Sequence, residues 1–258
     1  MIGRVSILEP MPTTSHKIRG GFVTTDWSLV GRLRGPDAAS ALAALCEQYW
    51  FPLYAYVRRR LGNEEDARDS TQAFFAWVLE KNLLRHAAAD RGRLRSFLLT
   101  MLQNFLNNEY QANRRQIRGG GASTLSLDFQ MGESQFAGLP TDDMTAERLY
   151  ERTWALHVLD RVMCQLHQEA EAAGDGERFQ VLKPALSGDQ QRGYRELARQ
   201  LATTEAAARQ AAARLRKRFR QLLLDEVQGT LADTDDTVDE IRWLFEALAP
   251  RNGNSSGS

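Results

Sequence analysis

Cysteine is nearly absent from this chain: Cys46 and Cys164 are the only two in 258 residues. No disulfide framework is implied, and a reducing compartment suits such a protein. Long hydrophobic runs are missing too. No stretch approaches the roughly 18 apolar residues that span a bilayer. The opening MIGRVSILEPMPTTSHKIRGG lacks the apolar core of a signal peptide, so a cytoplasmic protein with no membrane partner is expected. There is no P-loop, no glycine-rich dinucleotide fingerprint and no nucleophile motif. Gly119-Gly120-Gly121 follows no strand-like segment and reads as chain punctuation, not as a phosphate cradle. His157, Cys164 and His167 share a helix face, but residues seven apart stand ~10.5 Å apart along the axis, too far to ligate one ion together. No enzyme activity, metal or cofactor is expected.

Net charge is the last absence, with 33 Lys and Arg against 33 Asp and Glu. The balance hides segregation. Basic residues cluster at 58–60, 91–95, 114–118 and 209–220, whereas Asp225, Glu226, Asp233, Asp235, Asp236, Asp239 and Glu240 make the carboxyl end acidic. Local patches, not the sum, decide whether a polyanion binds.

What is present is helical periodicity, with no strand pattern and no internal repeat. Ala41, Leu42, Leu45, Tyr49, Leu53, Tyr56 and Val57 recur at helical spacing, with Pro52 predicting a kink or break near Phe51. A second helix, from Glu64 to Lys81, has acids in its first turn and a stripe of Ala67, Thr71, Phe74 and Val78. Its other face carries Asp66, Asp69 and Gln72, with Phe75 and Trp77 as exposed aromatics, a combination suited to protein docking. Leu94 to Arg115 is a third helix, with Leu94, Phe97, Leu98, Met101, Phe105 and Leu106 inside.

The expected fold is all-α, with two small helical domains joined by a flexible linker. A tail covers residues 1–20, a first domain 21–118, the linker 119–144, a second domain 145–228 and an acidic extension 229–258. The second domain ends in YRELARQLATTEAAARQAAARLRKRFR, from Tyr194 to Arg220. Tyr194 to Leu201 is a short helix, Ala202-Thr203-Thr204 a break, and Thr204 an N-cap for a helix beginning at Glu205. That second helix carries Arg209, Arg214, Arg216, Lys217, Arg218 and Arg220. A short helix, a compact turn and a basic helix form the pattern of a helix-turn-helix, whose second helix enters the DNA major groove. The acidic segment Asp233 to Glu240 is expected near that basic helix, damping unproductive DNA binding.

The chain resembles the extracytoplasmic-function (ECF) sigma factors. Region 2 of that family carries YYxxLYxxxRRxLGxxxDAxDxxQxxF, matched by Tyr49, Leu53, Tyr54, Arg58, Arg59, Leu61, Gly62, Asp66, Ala67, Asp69, Gln72 and Phe75. The continuation RGxFRxWLLxxxxN is matched by Arg91, Gly92, Leu94, Arg95, Phe97, Leu98, Leu99 and Asn104. Region 4 resembles Leu156 to Arg220. FVTTDWSLV and the acidic tail are similar to a divergent group best represented in planctomycetes. Two departures stand out: Ala73 where the family has an acid, and Ala202 where its turn has a glycine.

The resemblance implies a factor that binds core RNA polymerase, through the β′ clamp and the β subunit, and directs promoter recognition. An anti-sigma regulator is a further partner of such proteins. Asp66, Asp69, Gln72 and Phe75 would dock on polymerase. Arg95, Asn104 and Asn108, with Arg114 and Arg115, would face the melted minus-ten element. Arg209, Gln210 and Arg214 would read the minus-thirty-five element, and Arg216, Lys217 and Arg218 would hold phosphates. Two other readings remain: a helix-turn-helix regulator that does not engage polymerase, and a polymerase-binding adaptor without promoter contact.

Overall fold

Pro52 does not break the helix it occupies. In the computed structural model, α1 spans Trp27–Arg32 and α2 runs uninterrupted over Ala38–Leu61 with Pro52 inside it. An interior proline costs ~3 kcal/mol through its lost N–H bond and ring clash. Tyr49, Leu53, Tyr54 and Tyr56, which flank it, are all under 2% exposed, and each buried side chain of that size contributes ~1.5–3 kcal/mol. Burial wins over propensity here.

The structure describes residues 27–33, 35–36, 38–81, 83–86, 93–112, 127–139, 144–187, 193–231 and 237–249. Among them the only regular elements are helices. After α2 come α3 (Glu64–Glu80), α4 (Leu94–Ala112), α5 (Phe129–Ala137), α6 (Ala146–Ala172), α7 (Gly176–Leu182), α8 (Tyr194–Gln200), α9 (Glu205–Gln228) and α10 (Thr237–Leu248), with 3₁₀ turns at Leu83–His86 and Lys183–Ser187. None of these helices is long and apolar enough to cross a membrane. The chain forms two units, one from Phe22–His157 with Glu226–Leu248 and the other centred on Val158–Asp225. The sequence placed the division at 119–144; by contacts it falls within α6 and again within α9.

In the larger unit α2 is the central element. Six successive residues, Pro52 to Val57, are buried, so the middle of this helix is covered all round. It packs against α1, α3 and α5. Asn63 caps α3: its Oδ1 accepts the Asp66 backbone N–H at 2.8 Å, and Gly62 enters the turn at φ +85°. Ala67, Thr71, Phe74, Phe75 and Val78 are buried on α3. Phe74, Trp77 and Phe105 stack across to α4, with the Trp77 and Phe105 rings 5.3 Å apart.

The expected linker contains a docked helix. Asp128 caps α5 by accepting the Met131 N–H at 3.0 Å. Phe129 meets Trp50 and Tyr54 edge-on at 5.8 and 5.6 Å. Glu133 pairs with Arg58 at 3.0 Å and accepts the Tyr54 hydroxyl at 2.5 Å, while the Arg58 guanidinium lies 5.0 Å from the Phe136 ring centre. The Tyr54 phenol is pushed well above its ordinary range, first by burial and then by Glu133. Residues 113–126 and 140–143 lie outside the described part.

The acidic extension is not a loose tail at its described end. α10 buries Thr237, Glu240, Leu244, Ala247 and Leu248 within the larger unit. Arg152 donates to the Leu248 carbonyl at 2.9 Å, and Trp243 lies 5.8 Å from Trp154.

In the smaller unit, Leu182, Ala185, Leu197, Ala198, Ala208, Ala211 and Ala212 form the core, with Val181, Tyr194, Leu201 and Leu215 packed on it. Alanines on α9 let α8 and the 3₁₀ turn approach closely. Thr204 accepts the Ala207 N–H at 3.2 Å as the cap of α9.

The seat of α5 yields a direct check. A Cβ added at Gly132 would lie 2.7 Å from the Trp50 ring. Gly132→Ala gains up to ~1 kcal/mol of helix propensity but overpacks a buried contact at a cost of ~1–3 kcal/mol. A net loss of about 1 kcal/mol is expected, read as a lower urea midpoint with faster amide exchange in α5.

Candidate functional site

Two exposed surfaces and one groove hold some of the residues singled out in the sequence, and others are buried. On α3, Asp69 is exposed, with its side chain 69% accessible and Arg68 at 3.7 Å. Gln72 is half-buried on the same helix. Asp66 is exposed but takes part in the cap: its carboxylate accepts from the Asn63 amide, reciprocating the backbone bond. Phe75 is a correction. It is 2% exposed, part of the core and not a docking anchor. Positions seven and eight after Ala67 both fall within a helix stripe about 100° wide, so Phe74 and Phe75 both turn inward. Trp77, expected outside, is half-buried on the Phe105 ring.

Arg95 is the second correction. Its side chain is 5% exposed. Nε and Nη2 donate to the two oxygens of Glu240 at 2.7 and 3.2 Å. The guanidinium stacks on Trp243 at 3.4 Å and faces Trp154 at 5.2 Å. Arg93 reaches the same carboxylate at 2.9 Å. An arginine so enclosed is withdrawn from any external ligand while α10 is in place. Glu240, expected beside α9, therefore serves α4. Asp233, Asp235 and Asp236 lie outside the described residues, as do Arg114 and Arg115.

Asn104 and Asn108 are exposed on α4. Asn104 lines an open groove of about 830 Å³ with Tyr56, Arg59, Arg60, Gln103, Asn107 and Glu147. Its polar groups are mutually ordered. The Tyr56 hydroxyl donates to Glu147 at 3.3 Å and accepts from Arg60 and Gln103 at 3.0 and 3.2 Å. Arg60 also donates to Asn107 at 2.7 Å, and Arg59 to the Met144 carbonyl at 2.9 Å. Apart from Asn104, the sequence reading missed these groove residues as a site. They come from α2, α4 and the start of α6, and no spacing in the chain announces that they converge.

On α9, Arg209, Gln210, Arg214 and Lys217 are exposed. Arg209 pairs with Glu205 at 3.0 Å and lies over Tyr194 at 5.1 Å. Such an exposed helical pair contributes only ~0.3–0.5 kcal/mol and yields easily to a stronger anion. Arg216 turns inward, donating to the Ala185 carbonyl at 3.0 Å and the Tyr194 hydroxyl at 3.1 Å. It braces the unit and is not placed for phosphates. Arg218 makes a two-pronged pair with Glu169 at 2.6 and 2.8 Å, which holds the Glu169 carboxyl below its usual range.

Cys164 is exposed at the surface, and neighbouring atoms that partly shield its thiol, with the nearby Asp160 carboxylate, raise its pKa. His167 stacks on Phe179 at 5.4 Å. Among the described residues no three His, Cys, Asp or Glu side chains converge on a metal position. No family model, no curated protein and no solved structure matches the chain.

The turn before α9 carries Ala202 at φ +48°, where glycine is favoured. Left-handed backbone costs an L-residue ~1–2 kcal/mol, against the ~0.5–1 kcal/mol of chain entropy a glycine would add to the unfolded state. Ala202→Gly is therefore expected to hold or slightly raise the urea midpoint. Ala202→Val, β-branched at the same exposed position, is expected to lose ~1–2 kcal/mol.

Proposed function

We propose that this chain is a sigma-type initiation factor, binding core RNA polymerase in the cytoplasm and directing it to promoters. The observation that carries the reading is the α8–turn–α9 arrangement. A seven-residue helix and a short turn precede a 24-residue helix whose outward face presents Arg209, Gln210, Arg214 and Lys217. Read as a helix-turn-helix, α9 lies in the major groove, with Arg209 and Gln210 in its first turns toward base edges. Lys217, about two turns further along, serves the backbone. The groove beside Asn104 supplies amide and guanidinium donors to unpaired bases of a melted strand. The Asp69 and Gln72 face of α3 is the polymerase contact, and it rests on the region 2 motif.

Burial of Phe75 and Arg95 favours a second reading, a DNA-binding regulator that does without polymerase. It needs only α8 and α9 and leaves the face of α3 unused. The two readings separate in one experiment. Asp69→Arg with Gln72→Ala should abolish co-purification with core polymerase and leave the fold intact, since Asp69 is exposed and Gln72, half-buried, lies outside the buried stripe of α3, where substitutions change stability by only ~0.5 kcal/mol. Wild-type protein that fails to capture core polymerase, yet still binds DNA, establishes the regulator reading.

DNA readout has its own signature. Arg209→Ala should relax preference at one or two base pairs, at ~1–3 kcal/mol per lost base contact. Lys217→Ala should weaken all sequences alike and lower the salt slope by about one. Competition over randomised duplexes at two salt concentrations measures both. The reverse pattern would overturn the assigned direction of α9.

A further inference from the structure

The strongest feature that the proposed function leaves unexplained is a cationic pair already occupied. Arg93 and Arg95 flank Leu94, the first residue of α4, and both are held by one carboxylate, Glu240. The Glu240 side chain is 0% exposed, that of Arg95 5% and that of Arg93 34%. Two guanidinium groups share the one Glu240 carboxylate, and the Glu151 carboxylate also acts on Arg95. The Arg95 fork meets Glu240 through two nitrogens, the geometry that suits two phosphate oxygens equally well.

Glu240 arrives on a tethered element. α10 has 12 residues, too few for a stable helix in isolation. Its order therefore depends on docking, through Glu240, Trp243, Leu244 and Leu248. The stretch before it is anchored as well: the Gly229 and Thr230 carbonyls accept the backbone N–H groups of Trp27 and Leu94 at 3.3 and 3.4 Å. These bonds hold Gly229 and Thr230 beside the start of α4, a few residues of chain before α10 begins, so the covalent tether keeps the carboxylate at high local concentration over the arginines.

We propose that α10 is a strap which occupies a phosphate site: Glu240 fills Arg93 and Arg95, and a nucleic-acid strand binding at the start of α4 competes with docking of α10. The strap rests on the promoter reading only for the identity of the anion. Because the two events share the same guanidinium groups, each weakens the other by the same factor. A strand must therefore loosen α10, and loosening α10 must strengthen strand binding.

The test uses the full chain and a fluorescent oligothymidylate of about 20 nucleotides at about 50 and 200 mM salt. Glu240→Gln keeps the shape of the side chain and removes its charge. It should bind the strand about tenfold more tightly at the lower salt, with a log–log salt slope steeper by ~0.7–1.4, the mark of one or two further phosphates. In the wild type, saturation with the oligonucleotide should speed amide exchange across residues 237–248. Wild-type affinity and slope in Glu240→Gln overturn the proposal, and so does unchanged α10 exchange in the saturated wild type. If Glu240→Gln fails to fold by circular dichroism, the exchange measurement on the wild type decides alone. If the wild type binds too weakly to saturate, the variant decides, and a variant that binds no better overturns the strap. Failure to capture core polymerase would sink the preceding reading and leave these measurements standing.

Discussion

The larger unit depends on one buried ion pair. Arg95 and Glu240 stand 145 residues apart in the chain, and their side chains are almost fully closed to water. Taking two charges out of water is costly, and the cost is recovered here by two charge-assisted bonds, a third from Arg93 and the Trp243 face. Losing one partner of such a pair typically costs ~3–5 kcal/mol, a large share of the ~5–15 kcal/mol that holds a domain together. The pair also ties neighbouring elements. The Arg95 carbonyl accepts the Tyr150 hydroxyl at 2.9 Å, so α4, α6 and α10 meet at one residue.

Around that tie, α2 organises the rest. Its buried middle leaves no face for solvent, and beyond that middle the tyrosine tips and the terminal arginines reach polar partners. Tyr54 and Arg58 find Glu133 on α5, whereas Tyr56 and Arg60 find Glu147 and Asn107. The helix thus carries a dry core along most of its length and a hydrogen-bonded groove at its carboxyl end. Aromatic tyrosines serve both purposes, because a ring packs while its hydroxyl stays paired.

The arginines show how partners sort a basic sequence into different roles. Arg95 and Arg216 are internal braces. Arg218 is clamped by Glu169, and Arg209 is lightly held by Glu205. Arg214 and Lys217 face solvent. A run of like residues in the chain therefore becomes a short exposed stripe beside structural cations.

The sequence by itself determined the helices. Apolar spacing located α2, α3 and α4 to within a few residues of their described bounds, and local chemistry located Thr204 as the cap that starts α9, because these signals act within a turn or two of chain. It also located the basic helix that carries Arg209, Gln210, Arg214 and Lys217, but not which of its cations turn inward. Tertiary structure decided what local signals do not contain. Burial on every side carried α2 through Pro52. A glycine fitted to Trp50 turned the expected linker into α5. Phe75 went inward because the buried stripe of α3 is wide enough for adjacent positions. Glu240 found its partners in Arg93 and Arg95, which lie far away in sequence. Periodicity records which face of a helix is apolar. It does not record which distant side chain will neutralise a charge, since that depends on which helices pack together.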